Sequence, residues 1–232
     1  MKNFDDIRFQ ELQEGLYDPN IFKAFFLAGG PGSGKSFVTN RAFGGTGLKT
    51  INSDNAFERA LKKNGLSLKM PEDEAEARDI LRDRAKAMTG SQMDLSIRGR
   101  LGLVIDGTGR DYDKIKSQKA MLDQLGYDCY MIFVNTTLEV ALERNENRDR
   151  VLPQSIVSDS HKEVNRNIGA FQGLFGSGNF MIVDNNTFKT EEQAKKRFKM
   201  LVKQGLSKFI KTPITNKKAL SWISKQKILR GK

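Results

Sequence analysis

The sequence predicts an α/β domain with a parallel five-stranded sheet flanked by helices, followed by a basic helical extension. Three observations predict it. Short apolar runs alternate with longer helix-type stretches along the chain, the order of strand–helix–strand units. The first apolar run ends in a glycine-rich turn that opens directly into a helix-type stretch. The excess of positive charge is confined to the C-terminal end: 14 Lys and Arg against 2 Asp and Glu over residues 189–232, which leaves residues 1–188 with a net charge of −1 out of a total of +11.

The elements follow in order. Residues 21–28 (IFKAFFLA) read as a buried first strand and residues 48–52 as a short second one. Residues 101–106 (LGLVID), 129–135 (CYMIFVN) and 179–184 (NFMIVD) supply the third, fourth and fifth. Helices are predicted over 36–42, 55–64, 73–96, 112–125, 138–146 and 153–168. A further one over 191–204 carries Ala194, Phe198, Leu201 and Val202 near one face. Residues 169–179 (GAFQGLFGSGN) read as a glycine-rich loop, and 206–218 as a linker into a short, basic final helix. The expected division is an N-terminal segment 1–20, a domain 21–188 and the extension 189–232. No internal repeat is present.

Composition removes several classes of function. One Cys and one His among 232 residues exclude a disulfide framework and a Cys/His zinc site. No apolar run approaches the roughly 18 residues of a membrane span. The N-terminal MKNFDDIRFQELQEG lacks the apolar core of a secretory signal. The expectation is a soluble cytoplasmic protein, with no oligomeric state set by the sequence. The basic extension suits either a solvated end or an interaction with phosphate backbones or an acidic partner.

The strongest chemical signal is Gly29-Gly30-Pro31-Gly32-Ser33-Gly34-Lys35-Ser36, which fits G-x-x-x-x-G-K-[ST] in its expected strand–turn–helix setting. Glycines let main-chain N–H groups converge on phosphate oxygens, and the following helix adds its positive end. Gly30, Gly32, Ser33 and Gly34 are thus candidates for binding ATP. Lys35 places a charge on the β- and γ-phosphates, and Ser36 offers a hydroxyl to Mg²⁺. The fold expectation sharpens to a P-loop NTPase of kinase type.

Two strand ends add carboxylates. Asp106 closes the third strand, where it suits either the Mg²⁺ shell or orientation of an acceptor. Asp54 follows the second strand; it is either a helix N-cap or the group that takes the proton of an attacking hydroxyl. After the fourth strand, Arg144, Arg148 and Arg150 precede Pro153. Arginines placed so can close over phosphates and stabilise a transferring charge, with Arg148 the first candidate and Arg144 the second.

Taken together, residues 23–170 resemble the kinase domain of phage-type 5′-polynucleotide kinases and, more distantly, the zeta-toxin kinases. The resemblance rests on the phosphate loop, Ile51-Asn52-Ser53-Asp54, Val104-Ile105-Asp106-Gly107-Thr108-Gly109, Arg144 to Arg148, and Val151-Leu152-Pro153. It implies that Asp54 deprotonates a 5′-hydroxyl, that the Asp106 segment orients the acceptor, and that the arginines form a lid. Three departures stand out. The arginine expected soon after the base to grip the acceptor's phosphate is replaced by Phe57 and Glu58, so Arg59 is the nearest candidate. The acidic phosphatase motif often fused to the phage enzymes is missing, and 189–232 has no counterpart. The function expected is ATP-dependent transfer of a phosphoryl group to a nucleic-acid 5′-hydroxyl. The alternatives are a zeta-toxin-like or small-molecule acceptor, or a nucleic-acid-binding ATPase. His161 reads as surface or half-buried, Cys129 as an inert core thiol, Phe171, Phe175 and Phe180 as core before adenine contacts, and Trp222 as an anchor for the last helix.

Overall fold

A computed structural model describes residues 16–69, 71–186 and 206–229, together with Glu192 and Lys196. The helix expected over 191–204 therefore lies, apart from those two residues, outside the described part.

Five parallel strands form the sheet: β1 (Lys23–Ala28), β2 (Lys49–Ile51), β3 (Leu103–Asp106), β4 (Asp128–Asn135) and β5 (Phe180–Asp184). Their order is β2-β3-β1-β4-β5, with Leu27 paired to Asp106, Ala28 to Phe133 and Ile51 to Ile105. β1 is buried at every position, because both sheet faces are covered; that is why its sequence is continuously apolar rather than alternating. Helices α1 (Lys35–Phe43), α2 (Ser53–Lys63), α3 (Ala75–Arg98), α4 (Tyr112–Leu125), α5 (Leu138–Glu146), α6 (Gln154–Arg166) and α7 (Ile168–Phe175) fill the connections. Phe26, Ala24 and Ala28 pack with α3, α4 and α7 on one face, while Phe25 and Leu27 meet Val38, Ala42 and Phe43 of α1 on the other. Among the described residues no helix is long and apolar enough to cross a membrane.

The expected glycine-rich loop 169–179 is instead helical as far as Phe175. Gly169 and Gly173 face open space, while Phe171 and Phe175, four residues apart, are buried on the same side. That burial outweighs glycine's poor helix propensity. Only Gly176, at φ 77°, ends the helix. The first strand also begins two residues later than its apolar run, since Phe22 sits at φ 57° and bends the chain before pairing starts.

The expected linker 206–218 likewise contains a short helix, α8 (Ser207–Lys211), before α9 (Lys217–Leu229). Both dock on the sheet. Phe209 stacks on Tyr130 at 4.9 Å, and Trp222 meets Phe22 edge-on at 5.4 Å. The buried Lys23 ammonium donates to the Ile210 carbonyl, and burial pushes its pKa down. Thr215 N donates to Asp128 at 2.6 Å, and Asn216 Nδ2 to the Asp123 carbonyl at 3.1 Å. These contacts cluster where β1 and β4 begin, so strand length separates the α9 surface from the glycine turn by roughly 20 Å. Phe209→Ala should lower the unfolding free energy by about 3 kcal/mol, as for other buried aromatics; urea denaturation followed by circular dichroism measures it.

Candidate active site

The glycine turn leaves the C-terminal end of β1, between β3 and β4, where the connections diverge to opposite sides of the sheet. In open parallel sheets this is the crevice that ligands occupy. The turn packs closely on its surroundings. Gly32 has φ 77°, and a Cβ there would run into the Ala141 carbonyl of α5; Gly34 has φ 86°, and a Cβ there would overlap the Asn185 amide. Asn185 Nδ2 donates to the Ser33 carbonyl at 2.7 Å, while its own carbonyl accepts from Arg144 at 2.8 Å. Lys35 Nζ donates to the carbonyls of Gly29 at 2.6 Å and Gly30 at 3.2 Å. Ser36, in the first turn of α1, is exposed toward the cleft.

Asn52 connects the two carboxylate-bearing strand ends. Its Oδ1 accepts from Asn55 N at 3.0 Å and caps α2, and its Nδ2 donates to Asp106 Oδ2 at 2.6 Å. The cap of α2 is therefore Asn52 rather than Asp54, which leaves the Asp54 carboxylate out in the cleft. Burial raises the pKa of Asp106, opposed by the nearby Lys35 ammonium and the Asn52 hydrogen bond. Lys35 is shifted down by burial, opposed by Asp106 and Asp54, with Arg148 adding to the shift. Four of the expected groups thus share one electrostatic neighbourhood.

The arginine segment between α5 and α6 is pinned by Asn145. This residue is fully buried; its amide donates to the Leu152 carbonyl at 2.8 Å and accepts from Leu152 N at 3.1 Å. The closed loop carries Arg148 and Arg150 over the cleft. Arg150 reaches Asp54 at 3.7 Å and Glu58 at 3.4 Å, and Arg82 of α3 reaches the same Asp54 oxygen at 3.9 Å.

The resulting cleft has a volume of about 1260 Å³. Gly30, Gly32, Gly34, Lys35 and Ser36 line it, together with Asp54, Asp106, Arg144 and Arg148. Two of the expected residues lie elsewhere. Ser33 is buried behind the turn, its hydroxyl without a hydrogen-bond partner among the described residues. Arg59 is exposed and turns back along α2, donating to the Asn55 carbonyl at 3.2 Å, away from the cleft wall. His161 is half-buried against the Thr136 carbonyl at 2.8 Å. The roles of Asn52, Asn145, Asn185 and Arg82 were not legible in the sequence. Asn52 and Asn145 lie in segments that carry the resemblance, with no role of their own marked there; Asn185 follows no motif, and Arg82 reads as one more charge on a solvated helix face.

Two measurements probe this arrangement. Gly32→Ala should weaken ATP binding at least about tenfold in calorimetry, since the αL backbone and the Ala141 wall both exclude a Cβ. Asp106→Asn should gain stability relative to the parent chain as pH rises. A carboxyl whose folded pKa is raised contributes stability at low pH and loses it as pH climbs through that folded value. The stability difference should therefore start to grow above the ordinary carboxylate range and then level off.

A family model described as an AAA domain, AAA_33, matches residues 25–170. No curated protein matches the chain. Among solved structures, one from the PezAT chromosomal toxin–antitoxin system of Streptococcus pneumoniae is 16% identical, covers 90% of this chain and 98% of its own, and superposes with a TM-score of 0.50. A chain of the Pnkp1/Rnl/Hen1 RNA repair complex is 18% identical over 66% of this chain and 47% of its own, with a TM-score of 0.50. The AvrRxo1-ORF1:-ORF2 structure with ATP is 15% identical over 78% and 61%, also at 0.50. At such identities the likeness is one of fold alone; the parallel five-stranded sheet, the glycine turn after its first strand and the family match together make it a kinase-like P-loop NTPase fold. With the family match spanning the first strand, the glycine turn, both carboxylates and the arginine segment, the chain belongs to the AAA_33 family of AAA domains.

Proposed function

We propose that the chain is an ATP-dependent kinase that transfers the γ-phosphoryl group to a hydroxyl, with a polynucleotide 5′-hydroxyl as the first acceptor. The observation that carries this reading is the pairing, across one cleft, of an ammonium at the phosphate loop with an exposed, uncapped carboxylate: Lys35 and Asp54. A carboxylate in that place can take the proton of an attacking hydroxyl, the role that the catalytic-loop Asp has in kinases that phosphorylate alcohols.

Lys35 exchanges its two loop carbonyls for β- and γ-phosphate oxygens. The main-chain N–H groups from Gly32 to Ser36 hold the phosphate chain at the start of α1. Asp54 accepts the hydroxyl proton while the acceptor oxygen bonds to the γ-phosphorus. The bond to the β,γ-bridging oxygen breaks, and ADP leaves with that oxygen. Arg148 stabilises charge on the transferring group, and Arg144, held by Asn185, supports it from the lid base. Among the described residues no cluster of three His, Cys, Asp or Glu could hold a metal. The donor set instead fits Mg²⁺ bound by the Ser36 hydroxyl and Asp106, with phosphates and water completing the shell. When bound, that ion neutralises phosphate charge.

A second reading, a small acceptor such as a nucleoside or sugar nucleotide, is favoured by one contact. Arg150 reaches across to Asp54 and Glu58 and closes the acceptor side, which suits a compact molecule. Incubation with γ-labelled ATP and separate acceptor pools decides between them. Label on 5′-hydroxyl oligonucleotides supports the first reading; label only on small alcohols supports the second. Lys35→Ala and Asp54→Ala should each cut transfer by about 10²-fold or more. Near-normal turnover in Asp54→Ala would remove the base role.

A further inference from the structure

We propose that Arg82 and Arg150 form an anion clamp for the acceptor, so that the compound presenting its hydroxyl to Asp54 carries a phosphate close to that hydroxyl. This rests on the reading of Asp54 as the proton acceptor, and it assigns the grip on the acceptor to α3 and the lid rather than to α2.

The geometry is convergent. The two guanidiniums come from separate elements and reach the same Asp54 oxygen, at 3.9 and 3.7 Å. Both lie over the Phe57 ring, Arg82 at 5.0 Å and Arg150 at 5.8 Å from its centre. Phe57 is itself 1% exposed, so it is a fixed platform that sets the spacing of the two cations. Arg59, the nearest arginine along the chain, is committed to its own helix.

Electrostatics favour an anion between them. The Arg150 side chain is only 10% exposed, and a cation so covered needs close charge-assisted hydrogen bonds to offset its lost hydration. Its carboxylate contacts, 3.7 Å to Asp54 and 3.4 Å to Glu58, are longer than the 2.7–2.9 Å or so of good pairs of this kind. A phosphate offers more charge and a fork-matching set of oxygens, and so competes for both arginines. The wall as a whole agrees: eight cationic side chains line the cleft against four carboxylates. Transfer of the arginines to an arriving phosphate also releases Asp54 from its two cations. The base is then available when an acceptor is present and engaged when it is not.

Calorimetric titration of the full chain with matched alcohols tests this without turnover. The pairs are a nucleoside and its 3′-phosphate, glycerol and glycerol 3-phosphate, and glucose and glucose 6-phosphate. At least one phosphorylated member should bind tenfold or more tightly than its partner. That preference should persist in Lys35→Ala, where the phosphate loop lacks its cation, and should be lost in Arg82→Gln and Arg150→Gln. The clamp is overturned if no pair differs. It is equally overturned if the preference disappears in Lys35→Ala and survives both arginine substitutions. Should an arginine variant fail to fold, Arg82→Lys and Arg150→Lys, which keep the charge and lose the fork, take its place with the same loss expected. Failure of label to reach any acceptor would remove the kinase reading while leaving this binding difference standing. Efficient transfer to an uncharged alcohol, with no phosphate preference in binding, would remove the clamp and keep the kinase.

Discussion

The tight seat of the glycine turn is the constraint on which the site depends. Gly29, Gly32 and Gly34 all take positive φ, and each faces a wall that a side chain would strike: Val134 of β4, Ala141 of α5 and Asn185 after β5. The turn is therefore shaped by three separate elements as well as by its own sequence. That confinement keeps the Lys35 ammonium on the Gly29 and Gly30 carbonyls, within electrostatic reach of Asp106 and Asp54. A looser loop would let the ammonium swing into water, and the charge cluster around it would disperse.

Around this seat, three neutral amides position the charged groups. Asn52 caps α2 and holds Asp106, Asn145 closes the lid loop, and Asn185 joins the phosphate turn to Arg144. In Asn52 and Asn145 the carboxamide uses donor and acceptor together and ties two segments without adding charge to an already crowded field, whereas Asn185 holds Ser33 with its side chain and Arg144 with its main-chain carbonyl. The carboxylates and arginines are thereby left with free faces toward the cleft. Asp54 in particular owes its exposure to Asn52, which has taken over the capping duty.

The C-terminal segment closes the opposite end of the sheet. Lys23 is buried beneath Ile210, and Trp222 covers Phe22, so α8 and α9 shield the starts of β1 and β4 while the ends of the same strands carry the site. Phe209, Ala219, Trp222 and Ile223 of these helices face the sheet, while their lysines, with Leu220, Ile228 and Leu229, face solvent. For Lys208, Lys211, Lys217, Lys218, Lys225 and Lys227, positive charge that reads as part of a tail along the chain becomes a surface of the folded domain, set about one strand length from the cleft.

The sequence by itself determined the parallel α/β architecture, the five strands and the phosphate-binding turn, because each is encoded locally. Apolar runs of strand length, glycines at fixed offsets and a following helix need no distant partner to be recognised. It also singled out Asp54, Asp106, Arg144 and Arg148 as groups for one cleft, since strand ends in a parallel sheet converge. Only the tertiary structure decided which neighbours serve them. The helix at 168–175 forms because distant β1 and β4 side chains bury Phe171 and Phe175. Arg82 approaches Asp54 because α3 packs on α2, and Arg59 turns away because its own helix supplies a carbonyl. Those outcomes depend on contacts between residues far apart in the chain, and no local pattern of residue types carries that information.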